Sequence, residues 1–126
     1  MGVLETASVA VVICTRDRDR SVAFYRDVLG LRLVGEDDLA AVFDAGGTMV
    51  RISAVPDFVP HEHTILGFRV SDVAGAVSAL RARGVAFKTF AGFGQDELAI
   101  LALPGGAVRV AWLADPDGNV LSVTNA

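Results

Sequence analysis

Hydrophobic and polar positions in the first half of the chain follow a strand pattern, then a helical pattern, then strand patterns again. The run at 8–15 is apolar and rich in β-branched residues, which predicts a buried strand. Residues 16–31, RDRDRSVAFYRDVLGL, place apolar side chains at helical spacing, so we expect a helix that Asp17 caps and Gly30 ends. Three further strands are predicted at 31–34, 39–44 and 48–54, with Gly46-Gly47 as the tight turn between the last two.

The same order of elements returns in the second half. A strand at 64–70 and a helix capped by Asp72 and ended by Gly84 are predicted first. Strands are then expected at 85–90, 108–113 and 120–124, the last two joined by the turn DPDGN at 115–119. Residues 97–103 are expected to add a short strand or a loop. Residues 55–62 hold two prolines and little periodicity, which predicts a linker.

This duplication predicts an α+β fold built from two βαβββ modules, at 7–54 and 63–126. Each helix covers only one face of its sheet, so two copies are needed to bury what each leaves bare. The pair is expected to form a curled mixed sheet around a cavity, which is where a ligand would bind. A length of 126 residues fits one domain, taken as 1–126.

Composition narrows the class of partner. Apolar residues make up 52% of the chain and charged residues 21%, which is typical of an ordered globular protein. The longest apolar run is far shorter than the roughly 18 residues of a membrane span, and no basic segment precedes it, so a cytoplasmic location is expected. A net charge of −4 without a basic cluster argues against nucleic acid and membrane surfaces. The single cysteine, Cys14, excludes an internal disulfide.

Two groups of residues match the pattern of one known family. In the first half they are Asp17, Arg20-Ser21, Phe24-Tyr25-Arg26-Asp27 and Leu29-Gly30-Leu31; in the second they are Phe68, Val70, Asp72, Arg83-Gly84-Val85 and the turn 115–119. On these residues the chain resembles the vicinal oxygen chelate superfamily, which contains glyoxalases, bleomycin-resistance proteins and extradiol dioxygenases. The resemblance implies the two-module fold, and relatives with this short chain are commonly homodimers.

The resemblance also implies where a metal ion would bind. In metal-dependent members, His, Gln or Glu near the start of the first strand of each module and a carboxylate on the last strand hold one divalent ion. The corresponding positions here hold Ala10, Ile65, Arg51 and Ser122. None of these is a good ligand for a divalent cation, and the fixed charge of Arg51 would repel one. We therefore expect no metal in the usual place and no other cofactor.

A displaced metal site is the alternative. His61-Glu62-His63 lies just before the fifth predicted strand, and Glu97 could approach it from a loop. Polar residues in a segment flanked by proline are more simply interpreted as solvated side chains.

Strand alternation selects candidate ligand contacts on the faces that the helices leave bare. Arg51 and Arg69 could hold a carboxylate, phosphate or enolate oxygen, although an arginine paired with a surface acid is the simpler interpretation of Arg51. Trp112 and Phe43 could stack on a planar ligand. Ser122 is small enough to leave room for a guest.

Cys14 completes the set of candidate ligand contacts. A catalytic thiol needs a nearby base and a lowered pKa, and the two histidines lie in the predicted linker region, so a buried inert thiol is favoured.

These residues favour a metal-independent protein that binds a small organic ligand, aromatic or anionic, and sequesters an antibiotic rather than transforming it. An enzyme is the rival: a glyoxalase-like lyase, isomerase or dioxygenase with a relocated metal, or a metal-free isomerase or cyclase that uses Arg51 to stabilise an oxyanion. An accessory domain without any ligand is the third hypothesis.

Overall fold

The computed structural model describes residues 2–126 and divides the chain into two compact units, one ending at Phe58 and one running Val59–Ala126. Each unit contains a four-stranded mixed sheet and one main helix. The α+β class and the duplicated βαβββ order are thereby confirmed. The two sheets have the same connectivity: in each, the first strand of the unit pairs in parallel with its last strand.

The first unit runs β1, α1, β2, β3, β4. Their bounds are Ala10–Thr15, Arg18–Ala23, Arg32–Glu36, Ala40–Ala45 and Thr48–Ala54. A π-helical turn at Phe24–Val28 extends α1, and Gly30 ends it with a positive φ of 78°. The sheet order is β1-β4-β3-β2.

Helix α1 begins where the sequence predicts. The Asp17 carboxylate accepts a hydrogen bond from the Arg20 backbone N–H at 3.1 Å, which is the geometry of an N-cap. Tyr25 then reaches the sheet and is fully buried, with its ring centroid 6.2 Å from that of Phe43. Ile13, Val50 and Ile52 are also buried, so this side of the sheet is the core of the first unit.

The second unit runs β5, α2, β6, β7, β8. Their bounds are Thr64–Arg69, Val73–Ala82, Leu101–Ala102, Arg109–Ala114 and Val120–Thr124, in the sheet order β5-β8-β7-β6. Asp72 caps α2 by accepting from the Gly75 N–H at 3.0 Å. Its buried residues Val73 and Val77 pack against Ala111 and Ile100.

The DPDGN turn between β7 and β8 closes on its own side chains. Asp115 accepts from the backbone N–H groups of Asp117 at 2.9 Å and Asn119 at 3.0 Å, and from the Asn119 side-chain amide at 2.8 Å. All three residues are buried. These N–H groups satisfy the buried carboxylate from within the turn and hold the turn in one conformation.

The predicted strand at 85–90 is wrong. Within that segment only Phe87 forms a bridge, with Leu113, and the Lys88 N–H donates to the Trp112 carbonyl at 2.8 Å. Further along the chain, β6 pairs with β7 and forms the edge strand of the sheet. The segment between, residues 89–100, leaves the sheet in a loop.

The Gln95 side chain holds this loop. Its amide oxygen accepts from the Phe90 N–H at 2.7 Å, and its amide nitrogen donates to the carbonyls of Lys88 at 2.9 Å and Ala99 at 2.8 Å. One side chain therefore satisfies backbone groups that a continuous strand would have paired.

Candidate functional site

Strand register in the first unit separates two faces. Val12 lies opposite Arg51, which lies opposite Val42, so these three side chains share the face turned away from α1. We call this the helix-free face of the first unit. Val12 is 61% exposed there, whereas its neighbour Ile13 on the other face is buried.

Arg51 is the charged group of this face, and it is already paired. Its guanidinium lies 3.7 Å from the Asp37 carboxylate in the turn between β2 and β3. Hydrogen bonds from the backbone N–H groups of Leu39 and Ala40, with further help from the charges of Arg51 and Arg18, lower the pKa of Asp37. The arrangement matches the surface ion pair that is the simpler interpretation of Arg51.

Phe43 lies on the opposite face from the one expected of a ligand contact. It is paired with Val50, is fully buried and packs on Tyr25, so it belongs to the core under α1. It shares no face with Arg51, and we correct the expectation accordingly. Cys14, by contrast, is opposite Ser53 on the helix-free face and is half-buried.

The second unit also has a helix-free face. Gly67 lies opposite Ser122, which lies opposite Trp112, so these residues form one row across three strands. The row is closely packed, because a Cβ added at Gly67 would lie 2.9 Å from the Ser122 Oγ. Because Gly67 has no side chain, nothing projects from the sheet surface at this position.

Arg69 lies one step further along the same face. It is opposite Thr124, which is opposite Val110. Arg69 is exposed and borders a depression of about 250 Å³ together with Ser71 and Asn125. Among the candidate residues, the helix-free face of the second unit thus brings together Arg69, Trp112 and Ser122.

Three rings form a cluster on this face. The Trp112 centroid is 5.5 Å from that of Phe90 and 6.0 Å from that of Phe93, both in edge-to-face arrangement. The two phenylalanine rings are 5.2 Å apart. Phe93 is 48% exposed, so the cluster presents apolar surface to solvent. We call these three residues the aromatic cluster.

Sequence reasoning missed the part of this site that the 89–100 loop contributes. Phe90 and Phe93 are among the aromatic residues that the sequence offers for stacking, but the sequence favours Trp112 and Phe43, because most phenylalanines belong to an ordinary core. The available signal was local: glycines at 92 and 94, both with positive φ, flank Phe93 and mark a turn that presents it.

The chemistry of the usual metal positions does not suit a divalent cation. Ala10 and Ile65 carry no donor atom, and Arg51 is a cation that faces Asp37. Ser122 offers one neutral hydroxyl. Within residues 2–126, no three His, Cys, Asp or Glu side chains are grouped where they could hold a metal ion. The rings of His61 and His63 are stacked 5.0 Å apart, and both side chains are exposed.

The duplicated βαβββ order and the capped helices define a class of two-module α+β proteins. The profile of the Glyoxalase/Bleomycin resistance protein/Dioxygenase superfamily matches residues 8–123, and the chain belongs to that superfamily. A search of curated proteins gave no significant match.

Solved structures share the fold at low sequence identity. A bleomycin resistance determinant encoded on the transposon Tn5 is 24% identical, with 93% of this chain and 95% of that chain covered and a TM-score of 0.72. Lactoylglutathione lyase from Agrobacterium tumefaciens is 20% identical over 94% and 92%, with a TM-score of 0.71. A glyoxalase family protein from Enterococcus faecalis is 16% identical over 98% and 99%, with a TM-score of 0.72. At these identities the likeness shows the fold alone.

Among the described residues, no helix has the length and apolar character needed to cross a bilayer.

Proposed function

We propose that this chain binds a small organic molecule without the help of a metal ion and sequesters it rather than transforming it. The observation that carries the proposal is the chemistry at the superfamily's metal positions, where Ala10, Ile65, Arg51 and Ser122 supply no set of anionic or imidazole ligands. A Lewis acid of the kind that metal-dependent members of the superfamily use would find no suitable ligands at these four positions.

The helix-free face of the second unit supports a binding role. The aromatic cluster supplies an apolar surface, and the Ser122 hydroxyl beside Trp112 supplies a hydrogen-bonding group. Ligand sites combine these two features, a mostly apolar wall and a few polar groups that orient the guest.

The ligand we propose is an antibiotic or a similar aromatic natural product. One structural neighbour is a bleomycin resistance determinant, and the aromatic cluster suits the planar groups of such compounds. A homodimer and a cytoplasmic location, both inferred from the sequence, belong to this proposal. Light scattering coupled to size-exclusion chromatography tests the dimer, which should run at twice the chain mass of 13.2 kDa.

Thermal unfolding against a panel of aromatic antibiotics, bleomycin included, tests the proposal. A ligand at 100 times its Kd adds about 2.7 kcal/mol to the free energy of unfolding, which raises the Tm of a domain of this size by about 8 °C or more. A panel without any shift contradicts sequestration.

Elemental analysis of protein purified without chelators tests the metal-free part. The expected result is no stoichiometric transition metal and a Tm that does not change on dialysis against EDTA. One nickel, zinc, iron or manganese ion per chain would favour the enzyme hypothesis instead.

A further inference from the structure

An open depression of about 520 Å³ lies at the end of the second unit's sheet where β5 begins. Its lining residues are Pro60, His61, Glu62, Lys88, Phe90, Gly118 and Val120. The volume is that of a site for a small organic molecule. The ligand chemistry inferred for this depression rests on the proposed binding function.

One wall of the depression is set by the DPDGN turn. Gly118 has a φ of 93°, and a Cβ placed on it would lie 3.2 Å from the Pro60 Cγ, so the proline ring packs closely on the turn. Pro60 is followed by His61 and Glu62, and β5 begins at Thr64, which pairs with Val120.

Lys88, the only lysine in the chain, also lines the depression. Its backbone is fixed on both sides, because its N–H donates to Trp112 and its carbonyl accepts from Gln95. The side chain is half-buried, and among residues 2–126 no Asp or Glu oxygen lies within ion-pair distance of its ammonium group. Arg51 and Arg109, by comparison, each face an aspartate.

Phe90 lines the depression beside Lys88, two residues further along the extended chain. Its ring stands edge-to-face with Trp112, so Phe90 belongs both to the aromatic cluster and to the apolar lining of the depression. Val120, which is buried, adds to that side. Within residues 2–126, an ammonium group without an ion-pair partner, the Phe90 ring and the His61 imidazole thus line one space, together with the exposed carboxylate of Glu62.

We propose that this depression binds an aromatic anion, with the carboxylate, sulfonate or phosphate group of the ligand held by the ammonium group of Lys88 and its ring against Phe90. A half-buried ammonium gains most from a ligand that brings its own negative charge, since the interaction is less screened than at the open surface. The His61 ring supplies a second donor for the same anionic group.

Titration with anilinonaphthalene sulfonate, an aromatic anion whose fluorescence rises on binding, tests the proposal. Lys88→Met removes the charge but keeps most of the aliphatic stem, and we expect it to weaken binding about tenfold. Arg83→Met removes the same charge from an exposed position at the end of α2 and should leave the affinity unchanged. The uncharged phenylnaphthylamine should bind wild type and Lys88→Met equally.

A second measurement needs no variant. Because the chain has one lysine, acetylation by an N-hydroxysuccinimide ester followed by peptide mass spectrometry reports the accessibility of Lys88 alone, and saturating anilinonaphthalene sulfonate should slow it severalfold. Equal affinity in Lys88→Met, absent probe binding, or acetylation unaffected by the probe overturns the Lys88 site. The thermal-unfolding test with the antibiotic panel is independent of these outcomes. If an antibiotic raises the Tm of wild type and of Lys88→Met equally, the sequestration proposal stands without the Lys88 site. If no antibiotic raises the Tm, the sequestration proposal itself is contradicted.

Discussion

The guanidinium of Arg51 lies 3.7 Å from the carboxylate of Asp37, across the turn that joins β2 to β3. The same carboxylate accepts the backbone N–H groups of Leu39 and Ala40, each at 2.8 Å. Asp37 therefore holds the turn together and also forms an ion pair with Arg51, the cation that the sequence predicts as a ligand contact. Any anion that reached Arg51 would have to compete with this carboxylate.

Asp37→Asn should lower the Tm at neutral pH and leave it unchanged in acid. The folded state lowers the pKa of Asp37 below its ordinary value of 3.8, first through the N–H groups of Leu39 and Ala40 and then through Arg51 and Arg18. A lowered pKa contributes stability above the unfolded-state value, and this is lost as the pH falls through the folded-state value. The difference in Tm between wild type and variant is measured by circular dichroism from pH 7 down to about 2.

Asp38→Asn is the matched control for this experiment. It removes the same charge from the next residue, which is exposed. Its Tm should stay close to that of wild type, because the Asp38 side chain makes none of the turn's hydrogen bonds described above. A step of equal size in both variants would assign the effect to net charge rather than to the turn.

Ser21→Ala should raise the free energy of unfolding by about 1 kcal/mol. Ser21 is fully buried, and its Oγ has no hydrogen-bond partner in the described part of the chain. Removing an unsatisfied hydroxyl lifts a desolvation cost and leaves only a minimal void. Urea unfolding measures the change.

Thr15→Val is the comparison for Ser21→Ala, because it also removes a fully buried hydroxyl. The Thr15 hydroxyl donates to the Asp17 carbonyl at 3.0 Å and accepts from the Asp17 N–H at 3.1 Å. This variant should lose about 1 to 2 kcal/mol. Destabilisation by both variants to the same extent would show that the Ser21 hydroxyl finds a partner in solution.

The sequence predicted the elements whose ends carry a local signal. Asp17 and Asp72 cap the two helices as expected, and Gly30 and Gly84 end them with positive φ. The strands at 48–54 and 120–124 have the predicted bounds, because glycine turns limit them at one end. These signals act over four or five residues, which is the range that a sequence pattern reports reliably.

The face that each residue of β3 presents rests on a weak signal in the sequence. In β3, Ala41 and Phe43 alternate with Ala40, Val42 and Asp44, so Asp44 alone marks one face as polar, and the pairing of Phe43 with Val50 places its ring under α1. The loop at 89–100 was equally hidden, because its stability depends on Gln95 reaching backbone groups several residues away.

Phe93→Ala should shift the fluorescence of Trp112 to longer wavelength while changing the free energy of unfolding by no more than about 1.5 kcal/mol. Trp112 is the only tryptophan, and the Phe93 ring covers it edge-to-face at 6.0 Å. Phe93 is 48% exposed, so its removal wets the indole without opening the core. An unshifted spectrum in Phe93→Ala would contradict the aromatic cluster in solution.

Gln95→Glu should loosen the 89–100 loop more than the loss of one hydrogen bond would suggest. A carboxylate can still accept from the Phe90 N–H, but it cannot donate to the carbonyls of Lys88 and Ala99. Two carbonyls then face a negative charge instead of an N–H group, and we expect a loss of about 2 kcal/mol.

Hydrogen exchange followed by mass spectrometry measures this loosening. Peptides that cover the 89–100 loop should exchange faster in Gln95→Glu, whereas peptides from α2 keep their rates. Glu97→Gln makes the reverse change at an exposed side chain in the same loop and is the control. If both variants exchange at the wild-type rate, the loop is held by Asp96 instead, whose carboxylate accepts from the N–H groups of Leu98 and Ile100 at 2.9 Å each. Asp96→Ala would then be the variant that releases it.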